Sequence, residues 1–453
     1  MASILIEGAD AIFTGLPGAE MRATGSIRIQ GARIEAIGRL EPRPGEQRID
    51  ARGCVIYPGL VSTHHHIFQS VLKGISAGID SPLFAWLRHA PYAYWNKLDE
   101  DALRVAAEVA CAELLLSGTT TCADHHYLFS ELYRFDPAAV LFEVAERMGL
   151  RFVLCRGGAT KGRMFDTPEI RDLPTEPLEA MLRSIEACAH RFHDGAADSR
   201  RRVVVAPTTP PYALHVGELK EVAAAARGLG LRIHSHLSET RDYVDFCLAQ
   251  FGKRPVHWMA DHDWLGPDVW FAHMVHIDEA EMQVLARTGT GIAHCPQSNC
   301  RLGSGVAPAD RLAAMGGIVS LGVDGAASNE AADMISELHS AWHVHRATKG
   351  ASATTVEEVV RWGTAGGARA LGWPEIGTLA PGQLADIAVF DLSHPRYFGI
   401  HDVALGPVIS AGQADVRHLL VGGRTVVADG AIPGLDIARL RGEARRVVAR
   451  LTA

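Results

Sequence analysis

The sequence predicts an α/β protein: a (β/α)8 TIM barrel carrying a small β-sandwich domain assembled from both chain ends. Three observations predict it. Eight short, largely apolar, β-branched-rich segments recur through the middle of the chain, several of them separated by long helical stretches, as expected of strands buried on both faces of a parallel sheet. Segments of period-2 alternation flank that region on both sides. The 453 residues accommodate one barrel of roughly 250 residues plus a smaller domain as readily as three domains of about 150. A doubly wound sheet is the alternative, but no GxGxxG opens a helix after the first strand.

In chain order, SILIEGADAIF, GSIRIQGARIEAIGRL and GCVIYPG supply half-buried antiparallel strands, giving a first β segment over 1–57. The barrel follows over 58–378. Its strand candidates are 55–66, 118–124, 151–156, 202–207, 231–237, 269–274, 290–296 and 318–324. The helical stretches 99–118 and 215–230 each end at glycine, as a helix C-cap would. The β texture returns over 379–430 in GQLADIAVFDL and RHLLVGGRTVVADG, where GGRTV suits a tight hairpin. A C-terminal helix takes 431–453.

Composition narrows the partners. Hydrophobic residues make up 47% and charged ones 21%, which excludes disorder. The net charge is −8 and no long basic run occurs, so neither nucleic acid nor an anionic membrane is an expected partner. No apolar run approaches the roughly 20 residues of a membrane helix, and no positive n-region of a signal peptide precedes the first apolar residues. Eight scattered cysteines without CxxC pairing read as free thiols in a reducing, cytoplasmic compartment. The outlying number is 22 histidines.

Those histidines fall where a barrel does its chemistry, at the C-terminal ends of the strands. The first strand ends in His64-His65-His66 and the fifth in His234-Ser235-His236, followed by Glu239; His273 ends the sixth and Asp324 the eighth. Side chains alternate along a strand, so His64 and His66 share one face and His65 the other. His64, His66, His236 and Asp324 would hold one divalent ion, zinc before iron, with one position left for water. His65 is expected to pack outward, and His234, deeper in its strand, to pack or to support a ligand. Glu239, just beyond the strand end, can reach a water or substrate atom beside the metal, which suits a proton shuttle.

PGLVSTHHH (58–66), HSHLSET (234–240), AHMVH (272–276) and LGVDGAASN (321–329) resemble the amidohydrolase superfamily, specifically its mononuclear aminohydrolase branch. ADIAVFD (385–391) and LVGGRTVVADG (420–430) resemble that family's small β domain, so the likeness covers nearly the whole chain. Binuclear members carry a carboxylated lysine on the fourth strand; RRVVVAPTTPPYA (201–213) has none, which argues for one metal. The resemblance implies that His64, His66, His236 and Asp324 are ligands, that Asp324 also takes a proton from the attacking water, that His273 holds the attacking water or developing tetrahedral oxygen, and that Glu239 protonates a ring nitrogen and then the leaving amine. It is compatible with a homodimer.

Gln69 gives the pattern HxHxxQ, which resembles deaminases of guanine-like rings, where an amide reads a lactam edge with one donor and one acceptor; a packing role is the alternative. Guanine deaminases carry an arginine in a TPRF-like stretch where this chain has Thr209-Pro210-Pro211-Tyr212. The stretches 68–95 and 119–129 resemble the subgroup of 8-oxoguanine and isoxanthopterin (pterin) deaminases, with KGISAGIDSPLFAWLRHAPYAYW closer to the pterin-acting members. Trp86, Tyr92, Tyr94 and Trp95 are candidates to stack on a flat bicycle, with Trp95 the substrate-binding choice among them, although such clusters also build cores. His125 and His126, placed after the second strand, are candidates for substrate contact or loop structure. The expected activity is therefore hydrolytic deamination of a small fused aminopyrimidinone, pterin first, 8-oxoguanine second, guanine or a triazine behind them. A non-catalytic barrel scaffold is the rival, and such a relative would be expected to lose ligands; all six rim positions are present.

Overall fold

The structure is a computed structural model and describes residues 3–162, 172–410 and 415–452. Eight parallel strands close into a barrel: β1 (Leu60–His65), β2 (Thr119–His126), β3 (Arg151–Arg156), β4 (Arg201–Val205), β5 (Ile233–Leu237), β6 (Val269–His273), β7 (Gly291–His294) and β8 (Ile318–Leu321). Each overlaps a predicted segment, although the second runs on past 124 and the fourth starts at Arg201 rather than 202. The ring closes between β8 and β1, where Leu321 pairs with Ser62 and a further bridge joins His65 to Asp324. The hydroxyl of Thr63 adds a hydrogen bond to the Leu321 carbonyl at 2.9 Å.

Two of the boundaries that differ from the sequence reading bear on the site, each for a local reason. The candidate strand 55–66 is two strands. Cys54–Pro58 pairs antiparallel with Ile387–Asp391 in the small domain, and the barrel strand starts at Leu60. Gly59 makes that switch, where a Cβ would lie 2.2 Å from Thr120 Oγ1. At the second strand the correction runs the other way. β2 extends through His125 and His126, so these two lie inside the barrel wall rather than in a loop after it.

The helix expected over 99–118 is α1 (Glu100–Leu116), started by Asp99, whose carboxylate accepts the Ala102 amide at 2.8 Å. Gly118 then turns the chain into β2 with φ +86, close enough to the small domain that a Cβ would meet Phe390 Cζ at 2.6 Å.

Both chain ends build the small domain. One sheet orders Arg33–Gly38, Ser26–Gln30, Ser3–Glu7 and Gln47–Asp50; the other orders Arg424–Val427, Val416–Val421, Ile387–Asp391, Cys54–Pro58, Ala11–Phe13 and Arg22–Ala23. Ile4, Ile6, Ile27 and Ile29 of the first meet Ile12, Ile56, Ile387 and Val389 of the second in one buried cluster. This is the sandwich the alternation predicts. The C-terminal helix α2 (Ile437–Thr452) lies along α1, burying Leu440, Val447 and Leu451 and pairing Arg446 with Asp101 and Arg450 with Asp99.

Candidate active site

Alternation along β1 sends His64 and His66 into the barrel. The His64 Nε2 is 3.3 Å and the His66 Nε2 3.4 Å from Asp324 Oδ1. The His66 and His236 Nε2 atoms lie 3.1 Å apart. Donor atoms of His64, His66, His125 and His236 lie within 4.8 Å of one another, as do those of His64, His273 and Asp324. Five segments distant in sequence thus converge on one point.

Each imidazole is held by its far nitrogen. His66 Nδ1 donates to the His125 carbonyl at 2.8 Å, His236 Nδ1 to the Thr208 carbonyl at 2.5 Å, and His64 Nδ1 lies 2.8 Å from His234 Nε2. The Nε2 of His64 is buried and makes no hydrogen bond. Burial lowers the pKa of His64, His66 and His236, with mutual repulsion lowering His64 and His236 further. These imidazoles are therefore neutral at pH 7, the form that ligates metal. Burial pushes the Asp324 carboxyl up, but His273 and His66 in their protonated forms, the Ser298 hydroxyl (2.5 Å from Oδ2) and protonated His236 outweigh it and hold it below the usual carboxylate range. Neutral imidazoles around an ionised carboxylate, one nitrogen unpartnered, suit a divalent ion of zinc or ferrous type. β4, RRVVV, offers no bridging lysine.

His273 and Glu239 stand beside this cluster. Glu239 Oε2 is 3.7 Å from His273 Nε2, while His273 Nδ1 is 3.0 Å from Asn299 Oδ1. Backbone strain concentrates here: Ser238, His273, Met274 and Asp324 have φ between +51 and +73, a region costly for non-glycine residues and frequent at functional sites. His65 does pack away from the cluster, as expected, but its Nδ1 donates to the Asp324 carbonyl at 2.5 Å and so fixes the strained turn that carries the carboxylate. Alternation did not foretell this second duty.

A pocket opens over the cluster. His66, His236, Glu239, His273 and Asp324 line it on one side; Gln69, Phe84, Trp86, Tyr92, Tyr127 and Tyr212 contribute to its walls. Gln69 Oε1 is buried without a hydrogen-bond partner, packed against Gly325, where a Cβ would fall 1.9 Å from it. Trp95 is placed differently from the expectation. It is 2% exposed in the main core, near the Tyr133 ring (6.4 Å between centroids), and does not line the pocket. Trp86, four residues into the same aromatic run's first helix, lines it instead, its indole N–H donating to the Ala327 carbonyl at 2.9 Å. His125 turns into the barrel, its Nε2 2.7 Å from the Ala206 carbonyl, and His126 packs outward against Phe68 and Phe129. Neither lines the pocket.

Asp124 is a residue beside the site that motif reading passed over. Its Oδ1 accepts the Ile67 amide at 2.7 Å, seating the short helix Ile67–Val71 that carries Gln69, while Oδ2 is unpartnered. Burial raises its pKa from 3.8 to about 7. The folded chain therefore holds a proton that the unfolded chain releases near pH 4. Stability falls as pH rises between about 4 and 7, approaching 1.4 kcal/mol per unit, and levels off above. Asp124→Asn keeps the oxygen acceptor but cannot titrate. In the metal-free protein, the stability of wild type relative to this variant, from urea unfolding, should decline across that window. A difference independent of pH would refute the assignment.

Residues 55–426 match the model of the amidohydrolase family. The chain belongs to the amidohydrolase family. An isoxanthopterin deaminase from an unknown prokaryotic organism is 51% identical over 99% of this chain and 97% of its own length. An 8-oxoguanine deaminase of Pseudomonas aeruginosa is 38% identical over 95% and 96%. Among solved structures, an amidohydrolase from a Sargasso Sea environmental sample superposes with a TM-score of 0.86 at 48% identity, covering 99% of both chains. A zinc-complexed atrazine chlorohydrolase from Arthrobacter aurescens superposes with 0.89 at 27% identity, covering 98% of this chain and 100% of that one. No helix among the described residues is long and apolar enough to cross a membrane.

Proposed function

We propose that this chain is a metal-dependent hydrolytic deaminase of a fused aminopyrimidinone, isoxanthopterin first and 8-oxoguanine second. The observation that carries the reading is a single pocket lined by residues of a metal-type donor cluster, by Glu239 and by Gln69, whose carbonyl oxygen is unpartnered. The two deaminase relatives support the substrate class.

His64, His66, His236 and Asp324 would hold one ion, zinc by preference, as in the zinc-complexed neighbour. Bound there, the ion acidifies water and supplies a nucleophile at neutral pH. The chain's own groups do the rest. Asp324 accepts the proton that the attacking water gives up, and its Ser298 hydrogen bond keeps the receiving carboxylate aimed. His273, steadied by Asn299, holds the oxygen that attacks the amine-bearing carbon. Glu239 gives its proton to the adjacent ring nitrogen, then takes up the remaining proton of the attacking oxygen as the tetrahedral carbon collapses and passes it to the amine, because an amine leaves readily only when protonated; the proton held by Asp324 then returns to Glu239. Water and the aminopyrimidinone become the hydroxylated ring, as its lactam, and ammonia. Trp86 and Tyr92 take the stacking role expected of Trp95. Seven of the eight cysteines are buried free thiols, which supports a reducing, cytoplasmic setting.

Gln69 should read the lactam edge, its amide donating and accepting at once. A buried edge left unpaired costs about 1–3 kcal/mol, so Gln69→Ala should lower kcat/KM by roughly 10–100-fold while metal content stays unchanged. The substrate test is kcat/KM for isoxanthopterin, pterin-6-carboxylate, 8-oxoguanine and guanine on one preparation, read as ammonia release. Isoxanthopterin should lead and guanine trail, since Thr209, Pro210, Pro211 and Tyr212 supply no arginine. Preference for 8-oxoguanine would reverse the order proposed here, and strong guanine turnover would sink the substrate argument. Metal analysis should return one equivalent per chain; two would overturn the single-ion site.

A further inference from the structure

Three imidazoles reach the metal cluster from β1 and β5, and two of them are fixed by backbone carbonyls, His66 by His125 and His236 by Thr208. His64 is the exception. Its Nδ1 meets no carbonyl but the Nε2 of a second imidazole, His234, at 2.8 Å. His234 in turn sends its Nδ1 to the Trp270 carbonyl at 3.0 Å and stacks on the Trp270 ring, 4.5 Å between centroids with planes 19° apart. The Trp270 indole N–H reaches back to the Thr63 carbonyl at 3.0 Å, one residue before His64. The circuit runs from β1 through β5 and β6 and returns to β1, and His64 and His234 are completely buried.

The direction of the protons follows from the carbonyl. A carbonyl only accepts, so His234 Nδ1 carries a hydrogen. A buried imidazole without a carboxylate partner stays neutral, so His234 Nε2 carries none and must accept from His64 Nδ1–H. That leaves His64 Nε2 as a bare lone pair directed at the cluster.

We propose that His234 is a positioning residue that sets the tautomer and ring plane of His64, so that both histidines of the β5 His-Ser-His motif serve one ion, His236 directly and His234 through His64. The inference rests on the reading of His64 as a ligand. Without an acceptor at His234, the His64 proton is free to move to Nε2 and block the lone pair. Partners of this kind are typically worth 10–100-fold in metal affinity.

Two substitutions separate this from packing. His234→Phe keeps a ring stacked on Trp270 but offers no acceptor. His234→Gln loses the ring but can place an amide oxygen near the Nε2 position. Zinc affinity, measured by competition with a chelator on the metal-depleted full chain, should fall 10–100-fold for His234→Phe and recover most of that loss in His234→Gln. A packing role gives the opposite order, and His234→Phe binding zinc within threefold of wild type would overturn the proposal. If a variant does not fold, ¹⁵N-histidine long-range spectra of the zinc-loaded wild type decide alone: His64 and His234 should both be Nδ1–H tautomers, and a hydrogen on His234 Nε2 would refute the circuit. His64→Ala separates the two readings. Wild-type affinity in that variant removes His64 from the ligand set, whereas weakened binding there with normal binding in His234→Phe removes only the role given to His234.

Discussion

Glu239→Gln should bind metal like wild type and turn over about 10²–10⁴-fold more slowly, the usual worth of a positioned proton transfer. The substitution preserves side-chain length and hydrogen-bonding reach and removes only the capacity to carry a proton. Glu239 stands apart from the two metal-type donor groups and faces His273 at 3.7 Å, so occupancy should not depend on its charge. kcat should fall with kcat/KM, because the lost interaction belongs to the transition state. Steady-state ammonia release alongside metal analysis checks both halves. Turnover within a few-fold of wild type would show that another group moves the proton, and loss of metal would place Glu239 among the ligands.

The barrel was legible because its signals are local. Each strand is a short apolar run, and the rim residues sit at strand ends, so counting runs and reading their last residues located His64, His66, His236, His273 and Asp324 before any geometry. What was not legible depends on contacts between distant segments. Strand alternation puts His65 on the far face, and it is there, but only the closure of β8 on β1 shows that it holds the Asp324 carbonyl. Trp95 and Trp86 are indistinguishable as sequence; their neighbours separate them, Tyr133 beside one and the pocket beside the other. Asp124 looks like an ordinary strand residue until the Ile67 amide is found on it. The strand carrying the small domain into the barrel reads as one run because Pro58 and Gly59 interrupt it without breaking its apolar texture.

Removing the guanidinium of Arg151 should destabilise the chain by about 3–5 kcal/mol, the cost of stranding one charge of a buried pair. Arg151 opens β3 at the end of the barrel opposite the catalytic rim and is completely buried. Its Nε and Nη2 donate to the two carboxylate oxygens of Asp386 at 3.1 and 3.0 Å, and its guanidinium lies 5.0 Å over the Trp373 ring. Asp386 precedes the small-domain strand Ile387–Asp391 and also accepts the Gly422 amide at 2.7 Å, at the Gly422-Gly423 turn of the terminal hairpin. One ion pair thus ties the barrel to the C-terminal strands of the sandwich. Arg151→Met fills much of the same volume but leaves the Asp386 carboxylate buried with an amide in place of a cation. Asp386→Leu removes the carboxylate and strands both the guanidinium and the Gly422 amide. The double variant should cost less than the sum of the two, because neither charge is then left alone, but it should not reach wild type while the Gly422 amide lacks its acceptor. Urea unfolding of the four proteins gives the coupling directly. Metal content and kcat/KM of the folded fraction should be unchanged throughout, since none of these groups faces the pocket. Additive losses would show that the two domains are held together by their apolar contacts and that this pair contributes nothing specific.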